Sequence, residues 1–196
     1  VTNIAIFASG TGSNARKIAE YFEGSPSVTV ALVASNRKDA PVLDFAREKG
    51  IPVMLLKRKS FYETRETLRD LQSRSIDLIV LAGFLWLVPS YFIRAFENRI
   101  INIHPALLPK FGGKGMYGHY VHEAVIASGE KESGVTIHLV DEQYDHGKTL
   151  FQASCPVLES DTPETLAKNV QQLEHLYFPK IIDQYIRETL PKNNLP

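Results

Sequence analysis

Ile76-Asp77-Leu78-Ile79-Val80-Leu81-Ala82 decides the fold class, because a run this apolar and rich in Val and Ile suits a parallel strand covered on both faces. Such a strand needs helices above and below it, and the flanking sequence supplies them. Upstream, strands are predicted over residues 4–8, 28–34 and 53–56, alternating with amphipathic helices over 15–22, 42–49 and 62–71. Downstream, residues 100–104 read as the next strand and 121–127 as a helix. Residues 135–140 and 149–157 then read as two strands that a short connection can pair antiparallel. A long last helix is predicted from Thr162 to about Thr189, since Asp161-Thr162-Pro163-Glu164 offers a capping residue, a proline and an acid at its start. The expected class is α/β: a mainly parallel twisted sheet flanked by helices, Rossmann-like in its first half, with an antiparallel strand pair in its second.

The composition narrows what such a domain can do. With 22 basic and 22 acidic residues in 196, the chain has no broad electrostatic footprint for nucleic acid or an anionic membrane, so small molecules are the expected partners. The single cysteine, Cys155, excludes an intrachain disulfide and fits a reducing compartment, making the cytoplasm the default location. The longest apolar stretch, residues 76–88, contains Asp77 and is too short to span a bilayer; it reads as a buried strand running into a loop. Nothing in the sequence sets the oligomeric state beyond monomer or homodimer.

Between the first strand and first helix lies Ser9-Gly10-Thr11-Gly12-Ser13-Asn14-Ala15, where free amides at a helix N-terminus favour a phosphate. The spacing Gly10-x-Gly12-x-x-Ala15 also fits a relaxed dinucleotide fingerprint. An NAD site would want an acid after the second strand, where the sequence reads Ala34-Ser35-Asn36-Arg37-Lys38, although Arg37 suits an NADP phosphate. A purely structural turn, with Ser13 or Asn14 as the N-cap, is the plain alternative.

Asn102 and His104, two apart on a predicted strand, share one face and offer a neutral donor beside a titratable one. Such a pair can hold the oxygen of a carbonyl under attack. The segment His138-Leu139-Val140-Asp141-Glu142-Gln143-Tyr144-Asp145-His146-Gly147 puts three carboxylates in a turn from which one can reach His104, raise its pKa and keep it cationic near neutral pH. A solvated acidic turn is the bland alternative. His119 and His122, three apart on a helix, lack a third ligand motif, so no metal is expected. The glycine-rich stretch Phe111-Gly112-Gly113-Lys114-Gly115-Met116-Tyr117-Gly118 reads either as a mobile active-site loop or as a surface connection.

Four segments resemble the formyltransferase family, and within it the glycinamide ribonucleotide transformylases, the folate-dependent phosphoribosylglycinamide formyltransferases of purine synthesis. Residues 3–14 resemble the family's phosphate loop, and Leu81-Ala82-Gly83-Phe84 resembles the strand end leading to its folate pocket. Asn102-Ile103-His104-Pro105-Ala106-Leu107-Leu108-Pro109 resembles the shared formyltransferase signature, with Asp145-His146-Gly147 in the place of the catalytic aspartate. Gln171-Gln172-Leu173-Glu174-His175 is similar to the stretch that holds the ribose. The likeness runs from about residue 3 to about residue 190.

That resemblance implies one formyltransferase domain over residues 1–196, with a phosphate-binding half to about residue 100 and a catalytic, folate-binding half after it. It implies that Gly12, Ser13 and Asn14 take the substrate phosphate, and that Glu174 and Gln171 hold the sugar. Leu85, Trp86, Leu87 and Val88, with the turn of Val140, Asp141 and Glu142 on to Asp145, would grip the pterin, with Asn102 beside it. Asn102 and His104 would polarise the formyl oxygen of 10-formyltetrahydrofolate, the co-substrate, while the amine of glycinamide ribonucleotide attacks. Asp145 would keep His104 protonated, and no metal is needed. The glycine-rich stretch is longer than in several relatives, and the family's arginine near Tyr62 has no clear counterpart in Arg58-Lys59-Ser60. The rivals are a formyltetrahydrofolate hydrolase, expected to carry a further N-terminal domain; a methionyl-tRNA formyltransferase domain, expected to carry a basic RNA-binding extension; an NADP-linked reductase; and a phosphometabolite-binding module without catalysis.

Overall fold

The computed structural model describes residues 1–143 and 145–190. Seven strands form one sheet in the order β3-β2-β1-β4-β5-β6-β7. β1 (Thr2–Phe7), β2 (Val28–Ser35), β3 (Val53–Leu55), β4 (Leu78–Leu81) and β5 (Ile100–His104) run parallel. β6 (Glu132–Leu139) and β7 (Thr149–Pro156) are antiparallel additions, as the pattern predicts.

β4 is the middle strand, and every one of its residues is buried. Asp77, the one acid in that run, accepts the Asn3 amide at 2.8 Å and so fastens β4 to the start of β1. On β1 the alternation is direct. Ile4 and Ile6 join a core with α1 (Ser13–Phe22), α2 (Pro41–Glu48) and α7 (Pro163–Glu188), while Ala5 and Phe7 join another with α4 (Glu66–Ser73) and α5 (Ser90–Ala95). Truncating a fully buried ring such as Phe7 to alanine costs roughly 3–5 kcal/mol.

The helix predicted over 62–71 is two helices, α3 (Arg58–Tyr62) and α4. Tyr91 Oη donates to the Phe61 carbonyl at 2.6 Å, so that oxygen is already engaged where a continuous helix would need it. Residues 83–89 form the expected loop, but α5 follows it where no helix is anticipated. α6 (His119–Ser128) and α7 arise close to their predicted positions, and Thr162 caps α7 through a reciprocal bond with Thr165.

β1 has β2 on one side and β4 on the other, so the strand order reverses there. In parallel sheets the crevice beyond the carboxyl ends at such a reversal is where ligands bind.

Candidate active site

A cavity of about 790 Å³ opens at that crevice, lined from the β1–α1 turn, the loop after β4, the end of β5, the glycine-rich stretch, the turn after β6, and α7.

At its first end, Gly12 occupies the N-cap position of α1 in a left-handed conformation, φ +74°, and no side chain caps the helix. Neither Ser13 nor Asn14 is the cap; both lie in the first turn. The first-turn amides therefore have no intrahelical partner, which suits an anion. Gly12 cannot carry a side chain here, because a Cβ would strike Val42 on α2. Gln171 Nε2 donates to Ser13 Oγ at 3.2 Å, and Asn14 Nδ2 donates to Glu174 Oε2 at 2.7 Å. Burial raises the Glu174 pKa, with the Asn14 bond opposing the shift. Asn14 Oδ1 is buried without a partner among the described residues, a polar atom left for something in the crevice. Arg37, the residue that suits an NADP phosphate, also lines this cavity and pairs with Asp39 at 3.4 Å.

Ser9 links this end to the next: its hydroxyl donates to Asn36 Oδ1 at 2.6 Å and accepts the Leu85 amide at 2.9 Å. From Leu85 the chain zigzags. Leu85 and Leu87 are exposed, whereas Val88 is buried and Trp86 sits among Phe61, Tyr62 and Phe84. All four line the cavity, as do Val140 and Asp141. Glu142 does not: it turns away to Arg94 at 2.9 Å, and Gln143 lines the wall instead. Tyr144, within the same turn, lies outside the described residues, as do residues 191–196 of the expected domain. Arg58 lies over the Tyr62 and Trp86 rings, its carbon 5.3 and 5.9 Å from their centroids.

At the far end Asn102, His104 and Asp145 converge. The antiparallel register sets Asn102 opposite His138 and His104 opposite Thr136, so four side chains share one face of β5 and β6. Thr136 anchors the loop beyond His104, donating to the Ala106 carbonyl at 2.7 Å and accepting the Leu108 amide at 3.0 Å. His104 is 3% exposed. Its Nε2 donates to the Phe111 carbonyl at 2.7 Å, while Nδ1 stands 3.6 Å from Asp145 Oδ2. The same carboxylate oxygen accepts the Gly113 amide at 3.0 Å, and Gly112 can approach so closely because a Cβ would meet Leu108 and Asp145. The glycine-rich stretch is therefore bonded into the site through its backbone.

The cationic His104 expected near neutral pH is not what this burial favours. Desolvation depresses the His104 pKa below the ordinary value and outweighs the opposing pull of Asp145 and the Phe111 carbonyl. Burial acts to raise Asp145, but the neighbouring imidazoles and the Gly113 amide hold it below the usual carboxylate value, so it stays anionic. His119 pairs with Glu123 at 2.8 Å on the surface of α6, while His122 turns inward, 6% exposed.

His138 was not singled out by the sequence reading. It is 2% exposed and touches Asn102 at 3.2 Å and Leu139 O at 2.8 Å. An imidazole two residues from Thr136, on the opposite side of the strand from Val135, Ile137 and Leu139, was the available signal, and only the register with β5 gives it meaning.

Residues 2–182 match the formyl transferase family, whose class the α/β fold and its crevice suit. The chain belongs to that family. It is similar to the chloroplastic phosphoribosylglycinamide formyltransferases of Arabidopsis thaliana, 42% identical over 95% of this chain, and of Vigna unguiculata, 44% identical over 95%. It spans 66% and 62% of the length of those two proteins, just under two thirds. The Haemophilus influenzae phosphoribosylglycinamide formyltransferase is 34% identical over 98% of this chain and 91% of its own length. The crystal structure of phosphoribosylglycinamide formyltransferase from Bacillus halodurans superposes with a TM-score of 0.86 at 35% identity, covering 95% of this chain and 96% of that one.

Proposed function

We propose that the chain transfers the formyl group of 10-formyltetrahydrofolate to the amine of glycinamide ribonucleotide, yielding formylglycinamide ribonucleotide and tetrahydrofolate. The observation that carries this reading is the opening of one cavity onto both the uncapped turn of α1 and the cluster of Asn102, His104 and Asp145. In this reading Gly12, Ser13 and Asn14 hold the phosphate, and Glu174 and Gln171 hold the ribose. The wall of Leu85, Trp86, Leu87, Val88, Val140 and Asp141 suits a flat heteroaromatic ring, because the exposed Leu85 and Leu87 give it apolar contact.

As the amine attacks the formyl carbon, a carbon–nitrogen bond forms and negative charge grows on the formyl oxygen. Asn102 Nδ2 and His104 Nε2 donate to that oxygen in a site from which water is largely excluded. To do so, Nε2 exchanges the Phe111 carbonyl for the substrate oxygen. Asp145, anionic 3.6 Å from Nδ1, favours a rising proton affinity of the ring as the oxyanion develops. The amine then loses a proton, the folate nitrogen gains one, and the bond between the formyl carbon and that nitrogen breaks.

The test is an assay with both substrates and with each omitted in turn. Tetrahydrofolate released only when both are present supports transfer. Release without the ribonucleotide would instead mark a hydrolase, and no release in any arm would leave only a binding module.

A further inference from the structure

We propose that His138 is a positioning residue whose tautomer clamps the Asn102 carboxamide with its nitrogen toward the reacting oxygen; this rests on the proposed formyl transfer. The geometry determines the proton's place. His138 Nδ1 lies 2.8 Å from the Leu139 carbonyl oxygen, which can only accept, so Nδ1 carries the hydrogen. In the neutral ring Nε2 then has a lone pair, and the group 3.2 Å from it is Asn102 Nδ2, which donates.

A carboxamide has two ends of nearly equal size and opposite hydrogen-bonding sense, so packing alone selects its orientation poorly. The imidazole makes the selection. Were the proton on Nε2, the favourable partner would be Asn102 Oδ1; the amide would turn over, and the edge now held by His138 would offer no N–H. In the observed arrangement one Nδ2 hydrogen goes to His138 and the second remains for the substrate. Asp145 Oδ1 stands 3.6 Å from the same Nε2, beyond hydrogen-bonding distance, so the Asn102 amide at 3.2 Å is its nearer partner. The histidine is 2% exposed, so water does not compete for either nitrogen.

The chain of contacts thus runs from a backbone carbonyl through a ring tautomer to an amide, and the last member meets the oxygen. His138 itself touches no reacting atom in this account. Removing it should act chiefly through Asn102, since the amide is nearer to Nε2 than Asp145 is.

The experiment is a double-mutant cycle combined with direct observation of the tautomer. His138→Leu should lower kcat by roughly 10²-fold, comparable to losing one oxyanion donor, with KM for both substrates within about threefold of wild type. His138→Gln, which keeps an acceptor facing Asn102, should recover most of that loss. In an Asn102→Ala background, His138→Leu should cost under about threefold, because the group it positions is already gone. An undiminished loss in that background, or no loss in the wild-type background, overturns the proposal. Long-range proton–nitrogen correlation spectra of the ¹⁵N-histidine-labelled wild-type protein should show His138 protonated at Nδ1 alone. A proton on Nε2 overturns the clamp even if the variants fail to fold. Absence of formyl transfer by the wild-type protein would remove the functional reading itself, an outcome separate from a wrong tautomer in an active enzyme.

Discussion

The two ends of the crevice are built by opposite means. At the proposed phosphate end the groups are backbone amides of one turn, continuous in sequence, held by Gly12 in a left-handed conformation and braced by Gln171 and Glu174 from α7. At the proposed catalytic end they are side chains from β5, β6 and the turn after β6, whose distances of 2.7 to 3.6 Å depend on strand register and on two backbone groups of the glycine-rich stretch. An anion site needs only aligned dipoles, which a helix start provides at no titration cost. Stabilising charge that appears during a reaction needs donors whose protons are specified, and that requires partners on every side. Damage at the first end should therefore register as binding, and at the second as turnover.

The strongest way to break this contrast is His104→Ala or Asp145→Asn. Either should lower kcat by about 10²–10³-fold while ribonucleotide affinity changes little, as when an interaction made only in the transition state is lost. Steady-state kinetics with both substrates varied would check it, and a variant with wild-type turnover would defeat the roles given to these residues. Next in size is Gly12→Val. A side chain there must adopt φ +74° and collide with Val42, so the turn must rearrange and lose its aligned amides. The expected result is a rise in the ribonucleotide Kd by roughly 10²-fold, read by calorimetry. A kcat lost at unchanged Kd would erase the distinction between the ends.

The same contrast explains what could be read without coordinates. The phosphate turn is local, and its glycines, helix start and missing acid all lie within thirty-odd residues of sequence. The mainly parallel class of the sheet followed from the apolar run at β4 and the alternation of strands with helices, because parallel strands buried on both faces leave a distinctive pattern. Asn102 and His104 were legible as a pair, since strand geometry puts alternate residues on one side. His138 was not, because its meaning comes from the residue opposite it on β5 rather than from any neighbour in sequence. The pull of burial against the cationic form of His104 was missed for a related reason. Sequence reveals a carboxylate that can approach, but not the burial that outweighs it. The side-chain direction at Glu142 was not legible, because adjacent positions in a turn can face opposite ways; it pairs with Arg94 while Gln143 lines the cavity. The break between α3 and α4 depended on a tyrosine about thirty residues away, which no helical periodicity reports.

Acid should also separate the ends. Burial, with smaller contributions from His119 and His104, lowers the His122 pKa to about 4. Its contribution to stability is complete above the unfolded value of about 6.5 and is lost as the pH falls from there through about 4, where the unfolded chain takes up a proton that the folded chain refuses. The limiting loss is roughly 3 kcal/mol, from about 1.4 kcal/mol per pKa unit. Denaturation at a series of pH values should show this slope in the wild-type protein and a flatter one in His122→Phe. Equal slopes would mean that the acid sensitivity lies elsewhere.

Glu174 at the phosphate end should respond in the opposite sense, which makes Glu174→Gln the finest test of the contrast. Burial raises its pKa, so the fold prefers the protonated carboxyl. Stability from this group is greatest below the ordinary glutamate value and declines as the pH rises through the raised folded-state value. Replacing the carboxylate with a neutral amide should therefore leave the protein at least as stable at neutral pH, while an Oε1 acceptor remains for Asn14 Nδ2. A ribose hydroxyl would lose a charged acceptor in exchange for a neutral one, a difference of about 1 kcal/mol and hence about tenfold or less in ribonucleotide KM. Turnover at saturation should stay near wild type, because in the proposed reading Glu174 holds the ribose and not the reacting atoms. A fall in kcat with KM unchanged would mean that α7 communicates with the chemistry, and that the two ends act as one.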